Sequence, residues 1–596
     1  MGNPPYRGPA GVAEGEEQEL LAPYYIGLNE KFNIRARGIN ELYVRFFRLA
    51  ERQIAERAGR GIISYISNSS WLRGLSHPIM RERILTTFNR IWIDNVNGGG
   101  LFKGSRGPDG KPDRSIFEYV RGLGSIGITV ATTITCMVKT GEQFDHCEVL
   151  YRDLWGQGYE KRQQLAKDSL LSTSELNSCY QSLTPNIGTR FVLLPRGMDE
   201  DYFSWPTLDQ IFTRHYPGVK TSRDPDLVSI DRISLHERML RYFDSNLTDE
   251  EVARYVPVLM QDASQYDAKA TRHELLIKSC FREDHLIQVA YRPFDNRWLY
   301  WEDRTNLLDR NREELFKQVF PGNLFLEAVR HQRKSGLYDH GVVVAHFMDL
   351  NFVDGGARCF PLYEKPKGAM LGDKGHNFRD ELLIMLEKRY GQYPNLVEDL
   401  FYHIVAILNT PHYREENAGN IELDWPRIPI PATPELLKDS ALLGMQIANL
   451  QRPEITFRTP NELCSLGVPT RINGEQLTEA DLKVNIRYSG IGKYELRVGS
   501  NGNKTGRLWW NEVAYWDNIP QDVWAFTIGG YPVIKKWLDY RHVSKLGRAL
   551  YAEEVRYLAQ VVQRIAALLT LQPTLDTNYV LVKENTFAIS SNRSAN

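Results

Sequence analysis

The chain is 596 residues long, with 42% hydrophobic residues, 25% charged residues and a formal net charge of −1. That length exceeds the size at which one core keeps growing, so several compact units are expected. No apolar run is long enough to cross a bilayer, and the near-zero charge excludes a nucleic-acid binder that works through global basicity. The start, Met1-Gly2-Asn3-Pro4-Pro5-Tyr6, lacks a basic region followed by an apolar stretch, so no ordinary signal peptide is expected and a cytoplasmic location is. Six cysteines, Cys136, Cys147, Cys179, Cys280, Cys359 and Cys464, lie far apart without metal-ligand spacing, which predicts reduced structural thiols and no metal site. His77, His236 and His340 likewise have no partner at ligand spacing.

Up to about Gly38 the sequence is rich in Gly, Pro and Glu and is expected to be loop. Over 39–57, Leu42, Phe46, Leu49, Ala50 and Ile54 recur at helical spacing and predict an amphipathic helix. A short buried strand is predicted at 61–66, a helix at 78–88 and a second strand at 91–96. This alternation implies parallel strands with crossover helices. After the exposed loop that starts at Gly98, the Ile-, Val- and Thr-rich stretch 127–138 is expected to pair with 148–151 as an antiparallel hairpin at the sheet edge. Farther on, helices are predicted at 380–389 and 400–409 and a strand at 342–347. The Pro-rich passage 425–431 can continue neither a helix nor a central strand, so it marks a candidate junction. The expected divisions are therefore 1–155, 156–431 and 432–596.

Asn3-Pro4-Pro5-Tyr6 is the tetrad that carries chemistry. Methylating an exocyclic amine on a base requires the base out of its stack, its amino group gripped and its face held. The Asn3 side-chain oxygen and the Pro4 carbonyl can accept the two amino hydrogens, and the prolines stiffen the loop so that both acceptors are already aimed. Tyr6 would stack on the base. Asn-Pro-Pro is also a good turn sequence, and the same tetrad suits adenine, cytosine or glutamine amines. The helix, strand, Ser-Asn-Ser-Ser-Trp loop, helix and strand that follow are the order expected after the catalytic loop of a class I methyltransferase.

The chain resembles the Type ISP restriction-modification enzymes and the related adenine methylases of DISARM phage-defence systems. The matching stretches are Gly2 to Tyr6, 61–72, 91–98, Ser115-Ile116-Phe117, Gly218-Val219-Lys220-Thr221-Ser222-Arg223-Asp224, Tyr291-Arg292-Pro293-Phe294-Asp295, Phe360-Pro361-Leu362-Tyr363, Trp425-Pro426-Arg427-Ile428-Pro429 and 529–538. The resemblance implies methyl transfer from S-adenosylmethionine to the 6-amino group of a flipped-out adenine, with Asn3, Pro4, Pro5 and Tyr6 as the catalytic loop. It implies an α/β fold: the C-terminal half of a class I, Rossmann-like methyltransferase sheet (1–155), followed by a mixed α+β target-recognition region (156–431 and 432–596). The implied partners are double-stranded DNA with a specific target, and an upstream methylase or helicase half or other defence-system subunits. The cofactor-binding Gly-rich turn of such enzymes precedes the catalytic loop and is not found ahead of Asn3. Gly122-Leu123-Gly124-Ser125-Ile126-Gly127 leads into an apparent strand and reads as a turn. An incomplete catalytic half is therefore expected, through a fragment, a split gene product or an internal start.

Lys103, Arg106, Lys220 and Arg223 sit in Gly- or Ser-containing loops and are the candidate DNA contacts. Trp298-Leu299-Tyr300-Trp301, with Arg292 and Arg297 nearby, suits either base stacking or a core, and the core reading is favoured. Arg304, Arg310 and Arg312 form a further basic segment diluted by Asp303 and Asp309. The alternatives to a methylase of adenine are a recognition fragment without catalysis of its own and, behind it, a methylase of another acceptor.

Overall fold

The computed structural model describes residues 1–5, 19–32, 34, 39, 41–74, 76–98, 105–107, 111–117, 130–195, 201–330, 338–339, 341–353, 355–365, 375–421, 424–486, 494–499 and 502–587. It is a mixed α/β protein in two units, Met1–Phe203 with Asn417–Asp424, and Ser204–Glu416 with Trp425–Asn596. Among the described residues no helix is long and apolar enough to cross a membrane, and no group of three or more His, Cys, Asp or Glu is placed to hold a metal.

Where loop was expected ahead of Gly38, the first unit has two short helices, Ala22–Tyr25 and Leu28–Phe32, because Tyr24, Leu28 and Phe32 are buried; helix α1, Leu42–Glu51, follows and continues as a π-helical stretch, Arg52–Ala58. Its buried residues include Tyr43, Val44 and Phe47, while Phe46 and Leu49 of the predicted stripe are 38% and 45% exposed. Aromatic area decides this: Phe47 packs 5.2 Å from the rings of both Tyr65 and Trp71, burying more surface than the aliphatic stripe could. Strand β1, Gly61–Asn68, leads through a 3₁₀ turn to α2, Pro78–Thr87, which starts on proline, where a missing N–H costs nothing. Strands β2, Arg90–Asn97, β3, Thr132–Lys139, and β4, Glu148–Asp153, follow, then α3, Gly158–Asp168, and β5, Gln181–Leu183.

The sheet order is β1-β3-β2-β4-β5. Strands β1, β2 and β4 run parallel to one another, and β3 is inserted antiparallel between β1 and β2. The expected β3–β4 hairpin is therefore corrected: β3 lies inside the sheet, and β4 pairs parallel with β2. Asn89 gives the physical reason. Its N–H donates to the Val138 carbonyl, its carbonyl accepts from Glu148, and its side chain bonds Thr140 and Glu142, so β2 is stitched between both arms of the connection. The loop after β2 is anchored by an ion pair with no exposed side-chain surface, Lys161 Nζ to Asp113 Oδ1 at 2.6 Å, with Lys161 also donating to the Val96 and Arg114 carbonyls. Strand β5 pairs with β4, so this unit continues past residue 155 to Phe203.

The second unit contains β6, Tyr216–Pro217, β7, Val228–Ser229, α4, Arg232–Tyr242, β8, Leu286–Arg292, and β9, Asp295–Tyr300. Next come β10, Phe325–Val329, β11, Val342–Val344, β12, Phe347–Met348, and β13, Ala357–Pro361. They form two four-stranded sheets, β12-β8-β9-β7 and β11-β10-β13-β6. The predicted strand at 342–347 thus divides between two sheets. Helices α5, Asp380–Tyr390, α6, Leu396–Asn409, and α7, Pro434–Gln451, precede a third sheet built from β14, Val468–Arg471, β15, Tyr494–Val498, β16, Lys504–Trp509, and β17, Ala514–Pro520, and the long helix α8, Ala552–Thr570. Helices α6 and α7 pack so closely that a Cβ on Gly444 would sit 1.7 Å from the Tyr402 carbonyl oxygen. The passage 425–431 lies inside this unit, with Ile428 N–H bonded to the Pro206 carbonyl and Pro431 bridged to Thr586.

Candidate functional site

In the first unit, Gly2 runs parallel beside β1: its N–H donates to the Ser64 carbonyl at 3.0 Å and its carbonyl accepts from Ile66 at 3.1 Å. A side chain at Gly2 would strike the Tyr65 ring, since a Cβ would lie 2.7 Å from it. This pairing delivers Asn3, exposed, Pro4, buried, and Pro5, exposed, toward the carboxyl end of β1. Ligands of open α/β sheets bind at the carboxyl ends of their parallel strands. At that end of β1 the Asn68 side chain caps the 3₁₀ turn by accepting from Ser70 N–H, and Ser70 meets Tyr43 Oη at 2.9 Å. The same end of β2 and β4 carries a polar knot in which Asn97 and Tyr151 donate to Asp153 at 2.9 and 2.8 Å. Tyr6 and Lys103 lie outside the described residues, as does the Arg106 side chain.

In the second unit, Lys220 and Arg223 line one polar cavity of about 340 Å³ together with Tyr266, Asn306, Asp309 and Arg310. Lys220 is exposed and pairs with Asp309 at 2.6 Å, and its backbone bridges to Arg310. Arg223 is different, being only 6% exposed. Its guanidinium donates to the Leu307 carbonyl at 3.0 and 2.8 Å and to the Asn306 carbonyl at 2.6 Å, and lies 3.8 Å from the centre of the Tyr266 ring. Burial holds its pKa below the usual arginine value. Asp309 lies 2.6 Å from Lys220 and 3.4 Å from Arg310, so one carboxylate of the segment 304–312 is shared between two cations.

The aromatic stretches are largely interior: Tyr291, Leu299, Tyr300 and Trp301 are buried, while Trp298 is half-buried beneath the Arg232 guanidinium, 5.4 Å from its ring centre. Arg292 pairs with Asp349 at 2.7 Å, while Asp295 receives both Arg297 at 2.7 Å and Arg541 at 3.0 Å. Arg297 is sandwiched between Tyr291 and Tyr540, 3.9 and 4.3 Å from their ring centres, and Tyr291 Oη donates to Asp224. The stretches 218–224 and 291–295, with Tyr540 and Arg541 of the C-terminal part, are thereby tied into one interior network.

Residues 210–563 match the family model described as the Type ISP C-terminal specificity domain. The chain belongs to this family. Among solved structures, this Type ISP specificity-domain chain is similar to a nuclease-deletion mutant of the Type ISP restriction-modification enzyme LlaGI in complex with a DNA substrate mimic, at 18% identity and a TM-score of 0.55 over 97% of this chain and 44% of that one. It is similar to DrdV in its DNA complex, at 18% identity and a TM-score of 0.59 over 98% of this chain and 56% of that one. The ATP-dependent Type ISP enzyme LlaBIII bound to DNA matches at 16% identity and a TM-score of 0.60, over 97% of this chain and 37% of that one. At these identities the likeness is one of fold, and the chain spans between 37% and 56% of the length of the proteins it matches. No curated protein matches.

Proposed function

We propose that this chain is the target-recognition part of a Type ISP restriction-modification enzyme and binds double-stranded DNA. The observation that carries the reading is the specificity-domain match over 210–563, and the DNA-bound state of the fold relatives supports it. Lys220, on the rim of a polar cavity beside Arg310, is the candidate contact that the fold leaves at the surface. Equilibrium binding of the purified chain to a panel of duplexes tests it. One sequence retained against excess mixed competitor is the expected result, and equal affinity for all duplexes would refute sequence recognition.

A second reading, methyl transfer to an adenine amine, is favoured by the parallel pairing of Gly2, which directs Asn3-Pro4-Pro5 toward the ligand side of the sheet. Asn3 and the Pro4 carbonyl would accept the amino hydrogens there. The described residues of this unit include no Gly-rich strand-to-helix turn beside that loop; β1 passes into the 3₁₀ turn Ser69–Leu72. The described residues of this unit do not build a site for S-adenosylmethionine, and in this reading a separate half supplies it. Labelled methyl transfer to DNA should need that half and vanish with Asn3→Ala. Transfer that survives Asn3→Ala would end the reading.

A further inference from the structure

One end of the β11-β10-β13-β6 sheet gathers cations from separate stretches of chain. Arg358 on β13 faces Pro217 of β6 on one side and Ala328 of β10 on the other. Cross-strand partners share a face of the sheet. Arg330, two residues beyond Ala328, and His215, two before Pro217, therefore fall in line with Arg358. His215 sits 5.2 Å from the Phe360 ring and 5.3 Å from the Trp425 ring. Just past β6, Lys220 and Arg310 exchange backbone hydrogen bonds of 3.1 and 2.8 Å, and Arg312 Nε donates to the Gly218 carbonyl at 3.2 Å. Lys220, Arg310, Arg330 and His215 are exposed, with Arg312 and Arg358 half-buried. Asp309 faces Lys220 at 2.6 Å and Arg310 at 3.4 Å, one carboxylate against two cations.

The cations feel one another. Burial lowers the pKa of Arg312, and the neighbouring Arg310 and Arg358 lower it further. Partial desolvation beside the two rings lowers the pKa of His215, and Arg358 and Arg330 lower it further against the opposing charge of Asp209. Like charges held together on one surface repel, and a polyanion laid across them relieves that repulsion while releasing its own counterions.

We propose that Lys220, Arg310, Arg312, Arg330 and Arg358 form a track for the phosphodiester backbone of duplex DNA. This rests on the recognition reading above and adds to it a division of labour: the track sets the position of the duplex and carries no sequence information. Arg223 is not part of it, because it is buried with its donors on interior carbonyls, whereas Arg358, whose Nη1 bonds the Gly356 and Ala357 carbonyls, is only half-buried.

The test compares the full chain with a Lys220→Gln/Arg310→Gln/Arg330→Gln variant on mixed-sequence DNA duplexes over a salt series. A matched control, Lys269→Gln/Arg282→Gln/Arg556→Gln, removes three exposed cations elsewhere in the same unit. All six side chains are exposed, so both variants are expected to fold, which their urea curves report. Every cation removed from a phosphate lowers the slope of log affinity against log salt by about 0.9, so the slope of the track variant should fall by roughly 2.7 on every duplex alike. The control should keep the slope of the parent. Equal slopes in the two triple variants would overturn the track and leave the recognition reading standing. A parent chain that binds no duplex at all would overturn both.

Discussion

Replacing Arg223 with alanine distinguishes a structural cation from a DNA-binding one. The side chain holds two carbonyls, of Asn306 and Leu307, through three hydrogen bonds of 2.6 to 3.0 Å, and it covers the Tyr266 ring. Hydrogen bonds to a charged donor contribute about 1.5–3 kcal/mol each, and a desolvated cation over a ring about 2 kcal/mol. The sum overstates the effect, because two of the bonds share the Leu307 carbonyl and the burial that depresses the pKa of Arg223 is relieved when the guanidinium is removed. A net loss of about 3–4 kcal/mol is expected, within the range of broken buried polar networks. Urea unfolding followed by tryptophan fluorescence measures it, with Trp298 and Trp301 in the same unit as reporters. Arg223→Lys should recover only part of the loss, since an ammonium cannot reproduce the fork. At urea-free conditions, where the variant is still folded, its DNA affinity should keep the parent salt slope. A stability loss below about 1 kcal/mol together with a slope lowered by about one would place Arg223 on a phosphate and refute the interior role.

Two further perturbations test the interior of the second unit. His403 has no exposed surface and is held between Ser440 Oγ at 2.8 Å and the Pro429 carbonyl at 2.9 Å; burial brings its pKa down to about 4. A histidine whose folded pKa is depressed stabilises the fold fully above its unfolded pKa of about 6.5 and loses that contribution as pH falls toward about 4, so wild type should lose about 2 kcal/mol more than His403→Gln between pH 7 and pH 5. Parallel urea curves that show the same pH dependence for both proteins would exclude His403 as the source. Gly444→Ala should destabilise by about 3 kcal/mol or more, because the added carbon meets the Tyr402 carbonyl of a facing helix and backbone cannot yield as a side-chain tip does. A melting temperature within a few degrees of wild type would show that α6 and α7 can separate at little cost.

Element types were largely legible in the sequence, whereas partners were not. The periodicity over 39–57 predicted a helix, yet which stripe is buried depended on Trp71 and Tyr65, which are distant in sequence. Strands β1, β2 and β3 were legible from their β-branched runs, but the insertion of β3 between the other two depends on Asn89, whose hydrogen bonds on both sides follow no local pattern. For the site, Lys220 and Arg223 share one Gly- and Ser-containing loop, yet the first is exposed and the second buried, since loop membership says nothing about burial. Arg358 lies on β13 and Arg330 just past the end of β10, and the register of β10, β13 and β6 gathers both at the end of the sheet beside Lys220.

The interior stack of Arg297 between Tyr291 and Tyr540, closed by Asp295 and Arg541, makes the chain modular in a specific sense. Arg292, Asp295, Arg297 and Arg541 serve as internal fasteners, their charges offset by one another and by Asp349. Exposed cations can then be exchanged, added or removed without loosening the fasteners. New target preferences are accordingly open to stepwise change at the surface, while substitutions in the fasteners would be expressed as poor folding before any altered preference could be selected.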